Sequence, residues 1–207
     1  MNLSFKQYRS IDLGIMLFIL AVSEVLITFA ATVWFPYELY VLSPTVAIVC
    51  IVMMRWGGFA AIHAVGGGLA LCIASGADLN QFVVYCAGNC FALAALILLK
   101  ALGKEKVRSK PFLTVLFTVI AFCGAQIGKW AVGMFMGGSV GDIITYFATD
   151  SLSLIFALVT VLISRRVNGL FEDQLSYLKR TQAERNKEQI PDYGDTEYGE
   201  GSDIYDE

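Results

Sequence analysis

Ser43-Pro44-Thr45-Val46-Ala47-Ile48-Val49-Cys50-Ile51-Val52-Met53-Met54-Arg55-Trp56-Gly57 is the stretch on which the fold turns. Its continuous apolar part, residues 43–54, is short beside the ~20 residues that a helix needs to cross a hydrocarbon core. Ser43 nevertheless suits an N-cap, and Pro44 suits the first helical position. If this stretch crosses, the chain has six spans; if it is re-entrant, everything after it changes sides. The basic residues decide between the two. With six spans and the N-terminus inside, Lys6, Arg9, Arg55, Lys104, Lys106, Arg108, Lys110, Arg165 and Arg166 all fall on the cytoplasmic side. The outer loops 35–42, 76–79 and 137–141 then hold no Lys or Arg, whereas a re-entrant stretch would expose the basic loop 104–110. The sequence therefore predicts an all-α integral membrane protein, a six-transmembrane-helix bundle with cytoplasmic N- and C-termini.

Composition agrees. Hydrophobic residues are 57% of the 207 and the mean hydropathy is +0.64, too apolar for a soluble surface. The apolar runs are 11–34, 39–54, 56–75, 80–102, 112–136 and 142–164, and the first is followed by others without a cleavage site, so it reads as a span. Residues 1–166 form the membrane domain. Residues 167–183 place Leu170, Phe171, Leu175 and Leu178 at roughly helical spacing, which predicts a short cytoplasmic amphipathic helix. From Glu184 nine acidic residues face two basic ones, a net −7 that leaves +4 on residues 1–183 of a chain totalling −3. That acidic segment, 184–207, reads as a disordered tail, and nucleic-acid binding finds no support.

Charged groups within a span are costly unless paired or hydrated, so each is a candidate for function. Lys129 and Asp150 sit ~10 to 12 Å below the outer rim at 1.5 Å per residue, at matching depth on the fifth and sixth spans. Gln81, Tyr85 and Asn89 share one face of the fourth span; Gln126, Lys129 and Trp130 one of the fifth; Asp142, Tyr146 and Asp150 one of the sixth. The inner halves, 93–99, 112–125 and 154–163, are almost purely apolar. This distribution predicts an outward-facing pocket sealed toward the cytoplasm. Lys129 suits a carboxylate or phosphate, Asp150 an amine or ring N–H, and Trp130, Tyr146 and Tyr85 a flat ring. Glu24 either meets a cationic group or a proton, with His63 as its partner, or is held uncharged between helices. The aromatic loop 35–40, including Tyr37, is an interfacial belt or a lid.

Several chemistries are not supported. Cys50, Cys72, Cys86, Cys90 and Cys123 all lie in apolar runs, and one His with no second Cys pair makes packing the better reading than metal. Gly137-Gly138-Ser139-Val140-Gly141 matches a nucleophile elbow but has no strand before it, and no phosphate loop occurs. An enzyme is not expected, and no cofactor is implied.

The stretch Ser43-Pro44-Thr45 through Met53-Met54-Arg55-Trp56-Gly57-Gly58, on to His63 and Gly66-Gly67-Gly68, resembles the substrate-binding S components of energy-coupling factor (ECF) transporters, the vitamin-uptake systems of prokaryotes. The resemblance covers about residues 10–165. It implies a prokaryotic plasma-membrane protein that captures a vitamin or related metabolite outside. It also implies docking onto a transmembrane coupling subunit that works with two ATPases. The family's small-residue docking pattern has its nearest match at Ala60 and Ala64, with Ala21. Met1-Asn2-Leu3 lacks the His of the metal-specific branch, so nickel and cobalt are not expected ligands. The competing readings are a non-transporting scaffold of the cell-shape type and a stand-alone proton-coupled transporter using Glu24.

Overall fold

The computed structural model of the chain describes residues 5–37 and 40–189, with the backbone alone for 184–189. These residues form ten α-helices and no strand: α1 Phe5–Trp34, α2 Thr45–Trp56, α3 Ala61–Ser75, α4 Leu79–Asn89, α5 Leu96–Leu102, α6 Lys104–Ser109, α7 Pro111–Phe135, α8 Asp142–Thr149, α9 Ser151–Ser164 and α10 Gln174–Gln189. Four helical stretches are long and apolar enough to cross a membrane, namely Phe5–Trp34, Thr45–Ser75, Leu79–Leu102 and Pro111–Phe135. α8 and α9 together make a fifth, bent by 46° at Asp150. This fits a multi-pass helical membrane protein.

Thr45–Ser75 is not a straight rod. Gly57 takes φ 62 and ψ −124, a conformation that ends α2 and that a side chain would strain. The chain then turns through Gly57–Ala60 and returns as α3, so that the Thr45 side chain lies against Gly67. On a straight helix those two residues would be about 33 Å apart. Other contacts set the remaining directions. α1 runs parallel to α3, with the Arg9 guanidinium 4.2 Å from the Phe59 ring centroid and His63 Nε2 3.1 Å from the Leu13 carbonyl. α4 runs antiparallel to α3, Gly68 facing Tyr85 and Ala64 facing Asn89.

All twelve residues of α2 are buried, so this helix is enclosed by α1, α3, α7 and α9. The sequence places the start of this span at 39; the helix begins at Thr45, and residues 40–44 are non-helical. Their polar backbone is satisfied by the α8–α9 break: Val41 N–H donates to the Thr149 carbonyl (2.9 Å). Ser153 Oγ accepts from Ser43 N–H (2.9 Å) and donates to the Val41 carbonyl (3.0 Å). The segment reaches up to about 16 Å and α2 about 18 Å, together enough for a ~30 Å core.

Gly66, Gly67 and Gly68 are costly in a helix interior, at about 1 kcal/mol each relative to Ala. Successive residues point about 100° apart, and here each glycine receives a different helix. Gly66 takes Leu17 of α1, Gly67 takes Thr45 of α2, and Gly68 takes the α4 backbone at Tyr85 and Cys86. α3 is thus the hub at which three helices approach closely. Gly88, Gly124 and Gly128 do the same for α4 and α7, where a Cβ would strike the facing backbone.

At the end of the bundle that carries the basic residues, a turn follows α9. Arg55 (6% exposed) donates to both Asp12 carboxylate oxygens, at 2.9 and 2.6 Å, and to the Gly169 and Leu170 carbonyls. Trp56 Nε1 also donates to Asp12. Glu172 pairs with Arg108 and Asp173 with Lys104, while Phe171 is fully buried edge-on to Phe117. The predicted helix over 167–183 is therefore shifted: residues through 173 are a strap on the bundle, and α10 starts at Gln174. Met1–Gln174 and Leu175–Glu207 are separate compact units. In the second, the Arg180 guanidinium lies 5.6 Å from the Tyr177 ring centroid, and residues 190–207 of the expected tail lie outside the described residues.

α1 is the least enclosed of the long helices, with Phe18, Leu26 and Phe29 exposed. Of the nearest match to the small-residue pattern, Ala60 and Ala64 are fully buried and Ala21 is half-buried.

The glycine hub predicts a graded substitution series read by thermal unfolding in detergent. Gly68→Ala puts a Cβ 2.9 Å from immovable α4 backbone and should cost ~1–3 kcal/mol. Gly66→Ala meets only the end of the Leu17 side chain and should be near neutral. Gly14→Ala, with open space around it, should stabilise by ~0.5–1 kcal/mol. Equal losses at Gly66 and Gly68 would contradict the packing described.

Candidate functional site

Two acidic residues mark the starts of two parallel helices, α2 and α9. Asp150 stands at the break before α9, where its backbone N–H bonds Tyr146 O and its carbonyl accepts from Ser153 N–H (2.9 Å). Its carboxylate receives Lys129 Nζ and, at 3.0 Å on the same oxygen, Gln126 Nε2. The Lys129 ammonium is also 5.1 Å from the Tyr85 ring centroid, a cation–π contact that offsets part of its desolvation. Lys129 and Asp150 are each only 4% exposed. The matched depths read from the sequence thus bring these two side chains together, with Gln126 and Tyr85, at a helix N-terminus whose dipole favours the carboxylate.

Glu24 is fully buried on α1, and one of its oxygens accepts from both Ser43 Oγ and Thr45 Oγ1 at the start of α2. Ser43 in turn donates its N–H to Ser153 Oγ, three residues past Asp150. His63 is not the partner of Glu24. That ring bonds Leu13 O, and Leu13 is about 16 Å from Glu24 along α1 at 1.5 Å per residue. Glu24 Oε2, Asp150 Oδ1, Gln126 Oε1 and Trp130 Nε1 are buried without a hydrogen-bond partner among the described residues. A buried layer of polar groups with open valences therefore spans the bundle.

The other predicted site residues lie elsewhere or serve other roles. Asn89 is buried and donates to the Ala64 carbonyl at 3.4 Å, joining α4 to α3. Tyr146 is half-buried with its hydroxyl beside Gly133 of α7. Gln81 is taken up in a capping box at the start of α4, its backbone N–H bonding Asp78 Oδ1 at 2.8 Å and its side chain accepting from Asp78 N–H. Asp142 accepts from Ser139 N–H and Oγ in the 137–141 turn. Tyr37 is 95% exposed and touches none of the layer's groups.

The open space is not where the polar stripes pointed. A cavity of about 840 Å³ lies between Thr28 and Ala31 of α1, Leu42 of the non-helical segment, Leu71 and Ser75 of α3 and Leu152 of α9. Trp34, Phe35 and Tyr40 flank it at and beyond the C-terminal end of α1. It abuts the polar layer: Thr28 is one turn beyond Glu24, Leu42 precedes Ser43, and Leu152 follows Asp150 by two residues. No predicted site residue lines it. The signal available in sequence was faint, a run of small side chains, Thr28, Ala30, Ala31 and Thr32, in an otherwise bulky helix. The five cysteines are free, and no group of three or more metal-ligating side chains converges among the described residues.

No protein-family model matches the chain, and neither a curated protein nor a solved structure does.

The buried pair predicts strong non-additivity. Lys129→Met or Asp150→Leu alone leaves an uncompensated charge and should destabilise by ~3–5 kcal/mol. The double variant should recover to within ~1–2 kcal/mol of the parent. Additive losses in unfolding measurements would mean that the two side chains are not coupled.

Proposed function

We propose that the chain crosses the membrane six times with both ends in the cytoplasm. In its outer half it captures a small solute for uptake driven by separate energising subunits, in the manner of the S components it resembles. The alternating helix directions support the count: α1, α3 and α7 run one way, and α2, α4 and the α8–α9 pair run the other. Basic residues gather at one end, with Arg55, Lys104, Arg108 and Arg165 at the strap and Arg9 against Phe59, which supports reading that end as cytoplasmic.

The single observation carrying the functional reading is the place of the cavity. It stands at the end away from the basic residues, on a layer whose charges are paired within the protein. Below that layer Phe117, Ala121, Phe122, Ala125, Ala157 and Val161 are all at most 2% exposed, a dry plug with no hydrated route. Arg55 and the 165–173 strap close the inner end. A body open outward and sealed inward can hold a solute but cannot by itself pass it on. That is the division of labour expected of a binding subunit whose release step is driven from outside the chain. The chain also has no phosphate loop with which to use ATP.

Two measurements test this. Purified chain in liposomes should bind solute yet show no gradient-driven accumulation, and uptake in cells should disappear when the energising subunits are deleted; accumulation by the chain alone would overturn the proposal. A cysteine at Gly103 should resist an impermeant thiol reagent applied to intact cells, whereas one at Ser139 should react. The reverse pattern would invert the topology.

A further inference from the structure

We infer that the solute is uncharged and mostly apolar, an aromatic or alicyclic compound whose one polar end bonds the Thr28 hydroxyl; this deepens the proposed capture function and rests on it. The volume, about 840 Å³, is within the range that encloses a small organic molecule. Among the described residues no charged side chain lines the cavity. The nearby charges are already engaged. Lys129 and Asp150 hold each other, and one Glu24 oxygen accepts from Ser43 and Thr45, while its second oxygen faces no cation among the described residues and Glu24 itself lies outside the lining. A charged solute would lose its hydration here and meet no counter-charge in the lining, and capturing one at Lys129 or Asp150 would first require breaking a buried ion pair.

The walls instead suit hydrocarbon, from Ala31, Leu42, Leu71 and Leu152, with the rings of Trp34 and Phe35 at the edge for stacking. One polar handle on a buried residue is free. Thr28 is 8% exposed and its hydroxyl makes no hydrogen bond among the described residues, while Thr32 and Ser75 spend theirs on the Phe29 and Cys72 carbonyls. A hydroxyl with no protein partner, in a mostly apolar wall, recognises one donor or acceptor on a neutral ligand. This differs from the carboxylate- or amine-bearing ligand expected from the polar stripes.

The test uses three aryl diazirines that differ only in one substituent: hydroxymethyl, carboxylate or aminomethyl. Each is photolysed with the full chain in lipid nanodiscs, and labelled peptides are read by mass spectrometry, with excess benzyl alcohol as competitor. The hydroxymethyl probe should label peptides containing Thr28 and Leu71 saturably, at least about tenfold more than either charged probe. Thr28→Val should lower that labelling several-fold. Ala31→Phe, or Leu152→Phe if the first variant does not fold, should abolish it by filling the space. Preferential labelling by a charged probe, lost in the Lys129→Met, Asp150→Leu double variant, would overturn the solute class and leave outward capture standing. Labelling that neither saturates nor responds to Ala31→Phe or Leu152→Phe would show bulk lipid partitioning and overturn the site. A phospholipid that co-purifies in one-to-one ratio and is displaced by the filling variants would assign the cavity to an acyl chain, overturning both this inference and the capture reading.

Discussion

The Ser153 hydroxyl, accepting from Ser43 N–H and donating to the Val41 carbonyl, does for the non-helical entry to α2 what water would do in a soluble protein. Within a hydrocarbon core no solvent can take up a free backbone group, and each one left open costs several kcal/mol. A chain that enters as residues 40–44 and becomes helical only at Thr45 is therefore admissible only when enclosed by protein. Much follows from that constraint. α2 is surrounded on every face, α9 must break at Asp150 where the entering segment pairs with Thr149 and Ser153, and α3 must carry glycines so that α1, α2 and α4 can approach it.

The same break creates the polar layer. Ending α8 at Thr149 exposes the amino end of α9, which favours a carboxylate, and Asp150 there draws Lys129 and Gln126 across from α7. Glu24 does the equivalent at the start of α2 through Ser43 and Thr45. Two buried acids thus pin the starts of α2 and α9, and the cavity is what remains between them, α1 and the end of α3. The cavity and the structural polar layer are neighbours for a reason: both arise where α2 and α9 begin part-way along the bundle.

Much of this was legible in the sequence, and what was not has physical causes. The apolar runs located the helices, and helical rise alone placed Lys129 opposite Asp150. Gln81 shared a stripe with Tyr85 and Asn89, yet its position as the third residue of α4 let Asp78 claim it, and the Asp78-x-x-Gln81 spacing already carried that information. The strap after α9 was hidden because periodicity over 167–183 cannot reveal that Gly169 turns the chain at φ 76 so that Phe171 is buried. The cavity was hidden for a different reason. It is lined by ordinary aliphatic and small residues from four separate segments, and only tertiary packing decides that they fail to fill the space between them.

Asymmetry of access along the bundle is the central claim, and solvent accessibility measures it most directly. In a chain freed of its native cysteines, Thr28→Cys and Phe117→Cys place single thiols in the cavity wall and in the packed inner half. An impermeant thiosulfonate applied from outside should modify the first within minutes, whereas the second should react from neither side of the membrane. Reaction at position 117 from either side, or protection of position 28 from outside, would contradict a body open outward and sealed inward.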